Sequence, residues 1–380
     1  MRGDISGGKT IRSSLLLTTT RYPAWLVAIA TLVALVVFAG MNLARHHWDP
    51  LVFVGEGSLY RNQDPGGSTG YDGQFAYYIV SDPLHADAKL DAPAFRYLRI
   101  LYPLLTWLLS LGGQKALIPW VLVGINLICL SAVSALLGEL MAFYGAARWY
   151  GMAVPLSAGM LFALRQDLNE PLALALALGG LAVLSCGAEK NSRVWWAALL
   201  LALSALAKET GSIFAGAIVA WLLWSRKWQK AAVFGIGALG PPTLWWMLVS
   251  VWKGQTPLYA PSTRFEMIPF YGLRFTQPVE ARWMLVVWIV IPTIAVLLAL
   301  LQDAFWQSLN LFSFLVAANA LFVIFMPRPS YFFMLTALRL AAGMMSAALV
   351  WLAASGRRRW IPLFVAVWLS SGVLMAAFTN

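Results

Sequence analysis

The chain has 380 residues, of which 60% are Ala, Val, Ile, Leu, Met, Phe, Trp, Tyr or Cys and only 11% are charged, against roughly 25% charged in an ordinary soluble domain. That balance, with a mean hydropathy of +0.72, excludes a soluble enzyme, a disordered chain, a collagen and a coiled coil. The 27 Lys and Arg against 16 Asp and Glu, a net charge of +11, do not imply a nucleic-acid partner. Basic residues collect at the cytoplasmic ends of membrane helices and beside lipid phosphates.

Arg2, Lys9, Arg12 and Arg21 precede an unbroken apolar run from Ala24 to Ala44, longer than the core of a cleavable signal. The pattern predicts an uncleaved anchor, a cytoplasmic tail over 1–23, and emergence on the outer face from Arg45 onward. Hydropathy then drops over 45–116, where Gly, Pro, Asp and Tyr cluster in GEGSLYRNQDPGGSTGYDGQ and SDPLHADAKLDAP. Long polar loops in compact chains are usually functional. The loop closes on 98–112, whose apolar part is too short to cross and suits a helix lying in the membrane interface.

Further apolar runs cover 117–138, 148–164, 171–187, 194–207, 211–225, 230–252, 283–301, 309–326, 332–354 and 360–378, so about eleven transmembrane helices are expected in an all-α polytopic fold. The polar breaks then alternate sides. Breaks at 146–149, 189–193, 225–230, 302–308 and 356–360 fall on the cytoplasmic side with most of the basic clusters, and those at 165–170, 207–210, 253–282 and 327–330 fall outside. Counting 98–112 as a span would expose three basic clusters. Several helices are short and come in pairs separated by charged turns, which membranes tolerate only where the turn is buried in protein or lines a wet cavity. The expected organisation is an N-terminal membrane module over 24–230, including the outer loop at 45–116, and a C-terminal transmembrane module over 231–380 with its own outer loop at 253–282; the resemblance given below implies that the first is the catalytic one. Cys129 and Cys186 lie in apolar runs, which argues against a disulfide or a nucleophile, and no internal repeat, nucleotide-binding glycine pattern or Cys/His metal signature occurs.

The sharpest local feature is Tyr71-Asp72-Gly73-Gln74, followed by an aromatic helix start carrying Tyr77 and Tyr78. Asp before Gly is ordinary turn chemistry, and Asp72 can simply cap that helix. The functional alternative is a carboxylate held at the membrane surface as general base, with the aromatic residues and Gln74 facing a sugar or lipid head. Arg96 and Arg99 are i, i+3 on the predicted surface helix and would share a face, for a phosphate or for lipid headgroups. Lys208 and Arg165 sit at outer breaks, and Arg328 lies between two prolines. Arg339, about eight residues into a helix and so roughly 12 Å deep, costs about 2.5–3.5 kcal/mol there and should face an acid or a cavity. Asp167 and Glu170 are also i, i+3, with Glu209 on the same side. They are candidates to position acceptor hydroxyls or to hold a divalent cation, Mg or Mn, with waters, although a helix cap explains Asp167 equally. His46, His47 and Asp49 resemble a ligand set without a further shell. Most of the 19 tryptophans sit at helix ends as interfacial anchors; only Trp48 lies near the candidate site. The loop at 254–275, with Tyr259, Arg264, Phe270 and Tyr271, is a candidate lid.

The stretch YDGQFAYYIVSDP in the first outer loop, followed by RYLRILYPLL from Arg96, resembles the integral-membrane glycosyltransferases of the GT-C class, in particular PIG-V-like mannosyltransferases and bacterial cell-surface glycopolymer enzymes. Asn169-Glu170-Pro171 and Ala207-Lys208-Glu209-Thr210-Gly211 resemble that group's outer polar turns, so the likeness covers about 20–230. It implies inverting transfer of one sugar from a polyprenyl-phosphate donor to a hydroxyl of a glycan, glycolipid or protein acceptor, outside the plasma (inner) membrane; it names no cofactor, and a divalent cation, Mg or Mn, stays open. Asp72, at the matching position, would take the acceptor proton. Many members carry an acid immediately after the first helix, where this chain has Asp49, so both carboxylates remain candidates, Asp72 the better placed. Arg96, Arg99, Lys208, Arg328 and Arg339 would serve the donor phosphate, and Tyr71, Gln74, Tyr78, Asp167, Glu170 and Glu209 the acceptor or sugar. The rival class is a transporter or lipid flippase, which also uses broken helices and intramembrane charge. Against it, polarity here is concentrated in one asymmetric loop.

Overall fold

A computed structural model describes residues 22–185, 191–259, 264–306 and 308–378. Residues 1–21 of the expected tail, Cys186 and the first residues of the 189–193 cluster lie outside the described residues, as does part of the 254–275 loop. The described residues are helical and contain no β-strand, only an isolated bridge between Gln277 and Phe333. The protein is an all-helical, polytopic membrane protein. Among the described residues five helices are long and apolar enough to cross a membrane: α1 (Ala24–Arg45), α5 (Ile118–Phe143), α10 (Trp228–Lys253), α11 (Val279–Phe305) and the last, Arg358–Ala377, whose α-helical part Ile361–Phe378 is α15. A sixth is the pair α13 (Met334–Leu340) and α14 (Ala342–Ala354), bent by 45°. Four apolar helices are shorter: α7 (Glu170–Ser185), α8 (Asn191–Ala207), α9 (Gly211–Trp224) and α12 (Leu311–Ile324).

Burial explains how these helices are arranged. On α1, Val27, Leu35, Ala39 and Leu43 form a buried stripe and Thr31 donates to Ser134 Oγ of α5 at 2.8 Å, whereas Ile29, Val33, Val36 and Val37 remain uncovered by protein. Such an apolar outer face is stable against lipid and unstable against water. In contrast α14 is buried all round, from Met344 to Trp351, as befits a helix at the centre of the bundle. Pro241 and Pro242 lie within α10, where neighbouring segments can compensate the lost backbone hydrogen bond.

Contacts gather several of the polar breaks at two ends. At one end Arg148 pairs with Glu139 at 2.9 Å and donates to the Tyr22 carbonyl, Arg357 pairs with Asp303 at 2.7 Å, and Tyr144 meets Phe312. At the other end the 45–116 loop meets the turns at 165–170 and 207–210 and the helix α13.

Three expected helices are broken. The run at 148–164 is a 3₁₀ turn over Arg148–Ala153, an irregular stretch, and the short α6 (Ala158–Arg165). Gly151 abuts the α5 backbone, where an added Cβ would lie 2.3 Å from the Ser134 carbonyl oxygen. Ser157 Oγ donates to the Val154 carbonyl, and the Ala158 amide donates to Ser371 Oγ. The irregular backbone is thus paired inside the protein, the condition under which it survives at membrane depth. The segment 98–112 becomes α3 (Pro93–Leu98) and α4 (Leu101–Leu109), with a break at Arg99 and Ile100. Leu104, Trp107, Leu108 and Leu109 of α4 are exposed, which fits an interfacial helix. The run at 332–354 breaks at Ala341, so Arg339 ends a seven-residue helix instead of sitting inside a long one.

The close approach of α6 to α13 depends on Gly159: a Cβ there would lie 2.4 Å from the Arg339 amide nitrogen. Gly159→Ala is expected to cost about 1–3 kcal/mol through overpacking, read as a lowered melting temperature in detergent, whereas Gly124→Ala on α5, with open space around its Cα, should leave it unchanged.

Candidate functional site

The first loop is folded by local hydrogen bonds that present Asp72. Gln74 Oε1 accepts from the Gly57 amide at 3.0 Å while its Nε2 donates to the Thr69 carbonyl at 2.7 Å, and the Tyr71 amide donates to the Gly55 carbonyl at 2.8 Å. These bonds close the loop onto the start of α2 (Gly73–Ser81). Gly73 is required by contact: a Cβ there would stand 2.0 Å from the Gln166 carbonyl oxygen in the 165–170 turn. Tyr71 is fixed from the other side, its hydroxyl 2.6 Å from Thr336 Oγ1 of α13 and its ring edge-on to Phe162.

Asp72 does not cap α2; its carboxylate makes no bond to the helix amides. Instead Oδ1 accepts from Arg96 Nη2 at 3.0 Å and Oδ2 from Arg339 Nη2 at 2.8 Å. Arg339 also donates through Nη1 to Glu170 Oε1, which Lys208 Nζ meets at 2.9 Å. Arg96 grips Asp91 with two 2.7 Å bonds, and Arg99 grips Glu209 at 2.8 and 2.6 Å. Three cations and three carboxylates thus form one network drawn from the first loop, the two polar turns and α13, and Arg99 with Glu209 forms a separate pair beside it. Each buried charge has an opposite partner, as a low-dielectric setting demands.

The network walls a cavity of about 570 Å³. Asp72, Arg96, Arg99, Lys208, Glu209 and Arg339 line its ionic side, and Leu239, Pro242 and Trp246 of α10 with Phe322 and Leu340 line an apolar side. Asp72 keeps 27% of its side chain exposed, whereas Arg339 keeps 6%, so the carboxylate is reachable and the guanidinium is its buried support. Burial by itself would raise the Asp72 carboxyl, but Arg96, then Arg339, Arg99 and Lys208 outweigh it and hold it well below the usual carboxylate range. For Glu209 burial is likewise overcome, by Arg99 and then Lys208, bringing it down to about 2.

Several expected site residues are placed elsewhere. Asp49 caps the turn Pro50–Phe53, its Oδ1 accepting from the Leu51 amide at 2.9 Å, and neither it nor Trp48 lines the cavity. Gln74 is buried and spent on the loop, so it is a scaffold residue, and Tyr78 is packed in a separate cluster under Lys89. Arg328 is exposed and stacks on Phe275 at 4.9 Å while its flanking prolines face the cavity. Arg96 and Arg99 do not share a helix face, because α3 ends between them, yet both reach the cavity. Asp167 and Glu170 do not act as a pair. Glu170 lies behind Arg339, and Asp167 is wholly buried away from the cavity, where burial holds its carboxyl far above the usual range. A neutral acid is a poor cation ligand, and among the described residues no three His, Cys, Asp or Glu side chains converge as a metal site. Of the candidate lid, Pro257, Leu258 and Phe265 line the cavity while Arg264, Phe270 and Tyr271 do not.

Sequence reasoning missed Asp91, Thr336 and Trp246. Asp91 stands just ahead of the Pro93 helix start, a signal that an acid there can serve the last turn; Thr336 and Trp246 carry no local mark. No protein-family model, curated protein or solved structure matches this chain.

Acid sensitivity follows from Glu209, which titrates near 4.5 without partners and near about 2 in the fold. A lowered folded value means stability that is present above pH 4.5 and lost as pH falls toward 2. Melting temperature should therefore be level above about pH 5 and fall below it, with a shallower acid slope in Glu209→Gln.

Proposed function

We propose that the chain is an integral-membrane, inverting glycosyltransferase of the GT-C type, which moves one sugar from a polyprenyl-phosphate donor to an acceptor hydroxyl on the extracytoplasmic face of the plasma (inner) membrane. The observation that carries this is Asp72: a cavity-facing carboxylate between two arginines, opposite an apolar wall of Leu239, Pro242, Trp246, Phe322 and Leu340. The acceptor is a glycan, glycolipid or protein in cell-surface assembly. In this arrangement eleven segments cross the bilayer, counting the broken 148–165 passage and the four short helices, with the N-terminus cytoplasmic and the Asp72 end outside.

The chemistry uses the chain's own side chains. The acceptor oxygen attacks the anomeric carbon as the bond to the donor phosphate breaks on the opposite face; the hydroxyl proton passes to Asp72 and the bond electrons leave with polyprenyl phosphate. Charge grows on that phosphate, where Arg96 and Arg339 stabilise it and already lie fixed, so little reorganisation is needed. An Asp72 doubly bonded to arginine is a weak base, since proton transfer is best when the base is matched to its task. The donor phosphate competes for the same guanidiniums. Its arrival loosens Asp72 and strengthens it as a base at the step that needs one.

Purified protein in lipid nanodiscs, given a panel of radiolabelled polyprenyl-phosphate sugars, should form donor-dependent product. Asp72→Asn keeps the shape and removes the base, and should lose roughly 10²–10⁴-fold in rate; full activity in that variant would remove Asp72 from the mechanism, and no product with any donor would turn attention to flux assays for transport. Arg339→Ala, on protein whose melting curve shows it folded, should bind donor lipid about 10–100-fold more weakly, and unchanged binding would return Arg339 to a purely structural role.

A further inference from the structure

Asp167 is a buried acid for which the proposed chemistry has no use. It sits in the turn at 165–170, is wholly buried together with Asn126 of α5 and Tyr102 of α4, and among the described residues pairs with no lysine, arginine or histidine. Asn126 stands beside its carboxyl, and Tyr102 lies within electrostatic reach of it. From there a chain of hydrogen bonds runs one way. Asn126 Nδ2 donates to the Tyr102 hydroxyl oxygen at 3.0 Å, and that hydroxyl donates to the Leu122 carbonyl at 3.0 Å.

The chain leaves three acceptors and no donor. Both Asp167 carboxyl oxygens and Asn126 Oδ1 are buried without a hydrogen-bond partner, a deficit native interiors seldom carry. A carboxylate only accepts, as does an amide oxygen, so a charged Asp167 does not repair it, whereas a protonated one has an O–H to give. Turning the Asn126 amide over would hand the carboxylate one donor and still leave a full charge buried with no cation, the costlier arrangement. The backbone marks the same residue: Asp167 has φ 46°, a left-handed conformation that is uncommon outside glycine and persists where the surroundings impose it. Its neighbours in the turn are those on which the site leans. The Gln166 carbonyl oxygen would lie 2.0 Å from a Cβ on Gly73, next to Asp72, and Glu170 pairs with Arg339 and Lys208.

We propose that Asp167 is kept as a neutral carboxylic acid whose O–H donates to Asn126 Oδ1, completing a buried chain through Asn126 and Tyr102 that clamps the 165–170 turn to α5 and α4. Through that clamp Asp167 is a positioning residue: it holds the Gln166 carbonyl against the loop of Asp72 and Glu170 behind Arg339. The proton stands on the hydrogen-bond inventory alone. The positioning of Asp72 for sugar transfer rests on the function proposed above.

Infrared spectra of the purified full chain in nanodiscs at neutral pH test the proton. Wild type minus Asp167→Asn should show the carbonyl stretch of a neutral carboxylic acid, and Asn126→Leu should shift that band because the acceptor is gone. A carboxylate band in its place overturns the proposal, as does an acid band that Asn126→Leu leaves unmoved. For the positioning, Asp167→Leu, which has no donor, should lower the transfer rate about tenfold, and Asp167→Asn, whose amide supplies a donor in the same place, should recover it. Equal loss in both variants overturns the donor role; no loss in either, on protein whose melting curve shows it folded, overturns the positioning. If Asp167→Leu does not fold, Asn126→Leu removes the acceptor with the acid in place and should show the same loss. A wild type that transfers no sugar overturns the function proposed above and the positioning with it, while the infrared bands decide the proton independently.

Discussion

Arg339 is the hinge of this structure. One guanidinium, buried and unable to lose its proton, reaches Asp72 of the first loop through one nitrogen and Glu170 at the start of α7 through another. Lys208 meets the same Glu170 from the α8–α9 turn. Three segments far apart in sequence are therefore held to α13 by charges that cannot be left unpaired in a low-dielectric interior, where breaking one side of such a pair is costly even if forming it gains little. The loop with Asp72 is positioned by these ion pairs together with its own hydrogen bonds and the close contact at Gly73.

That dependence shapes the backbone around it. The α13–α14 break at Ala341 lets Arg339 stand at a helix end instead of within a continuous span, and Gly159 lets α6 pass within backbone distance of it. Gly73 does the same for the 165–170 turn. These are three separate concessions, a broken helix and two missing side chains, and each brings an ionic group closer to the same cavity wall. The opposite wall holds no charge: α10 offers it Leu239, Pro242 and Trp246, while Ala231, Phe234, Ala238 and Val249 of the same helix are buried against protein.

Much of the architecture was legible in the sequence. Apolar runs gave the helices, and contacts between Arg148 and Tyr22 at one end and among Asp72, Arg339, Glu170 and Lys208 at the other gather several of the polar breaks. The site was legible in part. Asp72, Arg96, Arg99, Lys208, Glu209 and Arg339 all reach one cavity wall, and buried charge in an apolar chain is the signal that found them. Gln74, Tyr78 and Asp49 carry the same residue types in the same loop, yet they serve backbone amides or a separate core. Local pattern does not separate a polar side chain that faces a cavity from one that satisfies its own loop, because both answer to the same demand for a hydrogen-bond partner.

By itself, then, the sequence determined that the chain belongs in a bilayer, where its helices lie to within a few residues, and which charges must be paired; hydropathy and the penalty for buried charge are properties of the residues alone. Only the tertiary structure decided who pairs with whom. Asp72 with Arg339 spans 267 residues and Arg99 with Glu209 spans 110, and no periodicity encodes such a meeting. It also decided where helices break, at Arg99, Ala341 and the 148–157 stretch. A break in a membrane helix survives only where another segment takes up the freed backbone groups, and that segment is known only once the bundle is assembled.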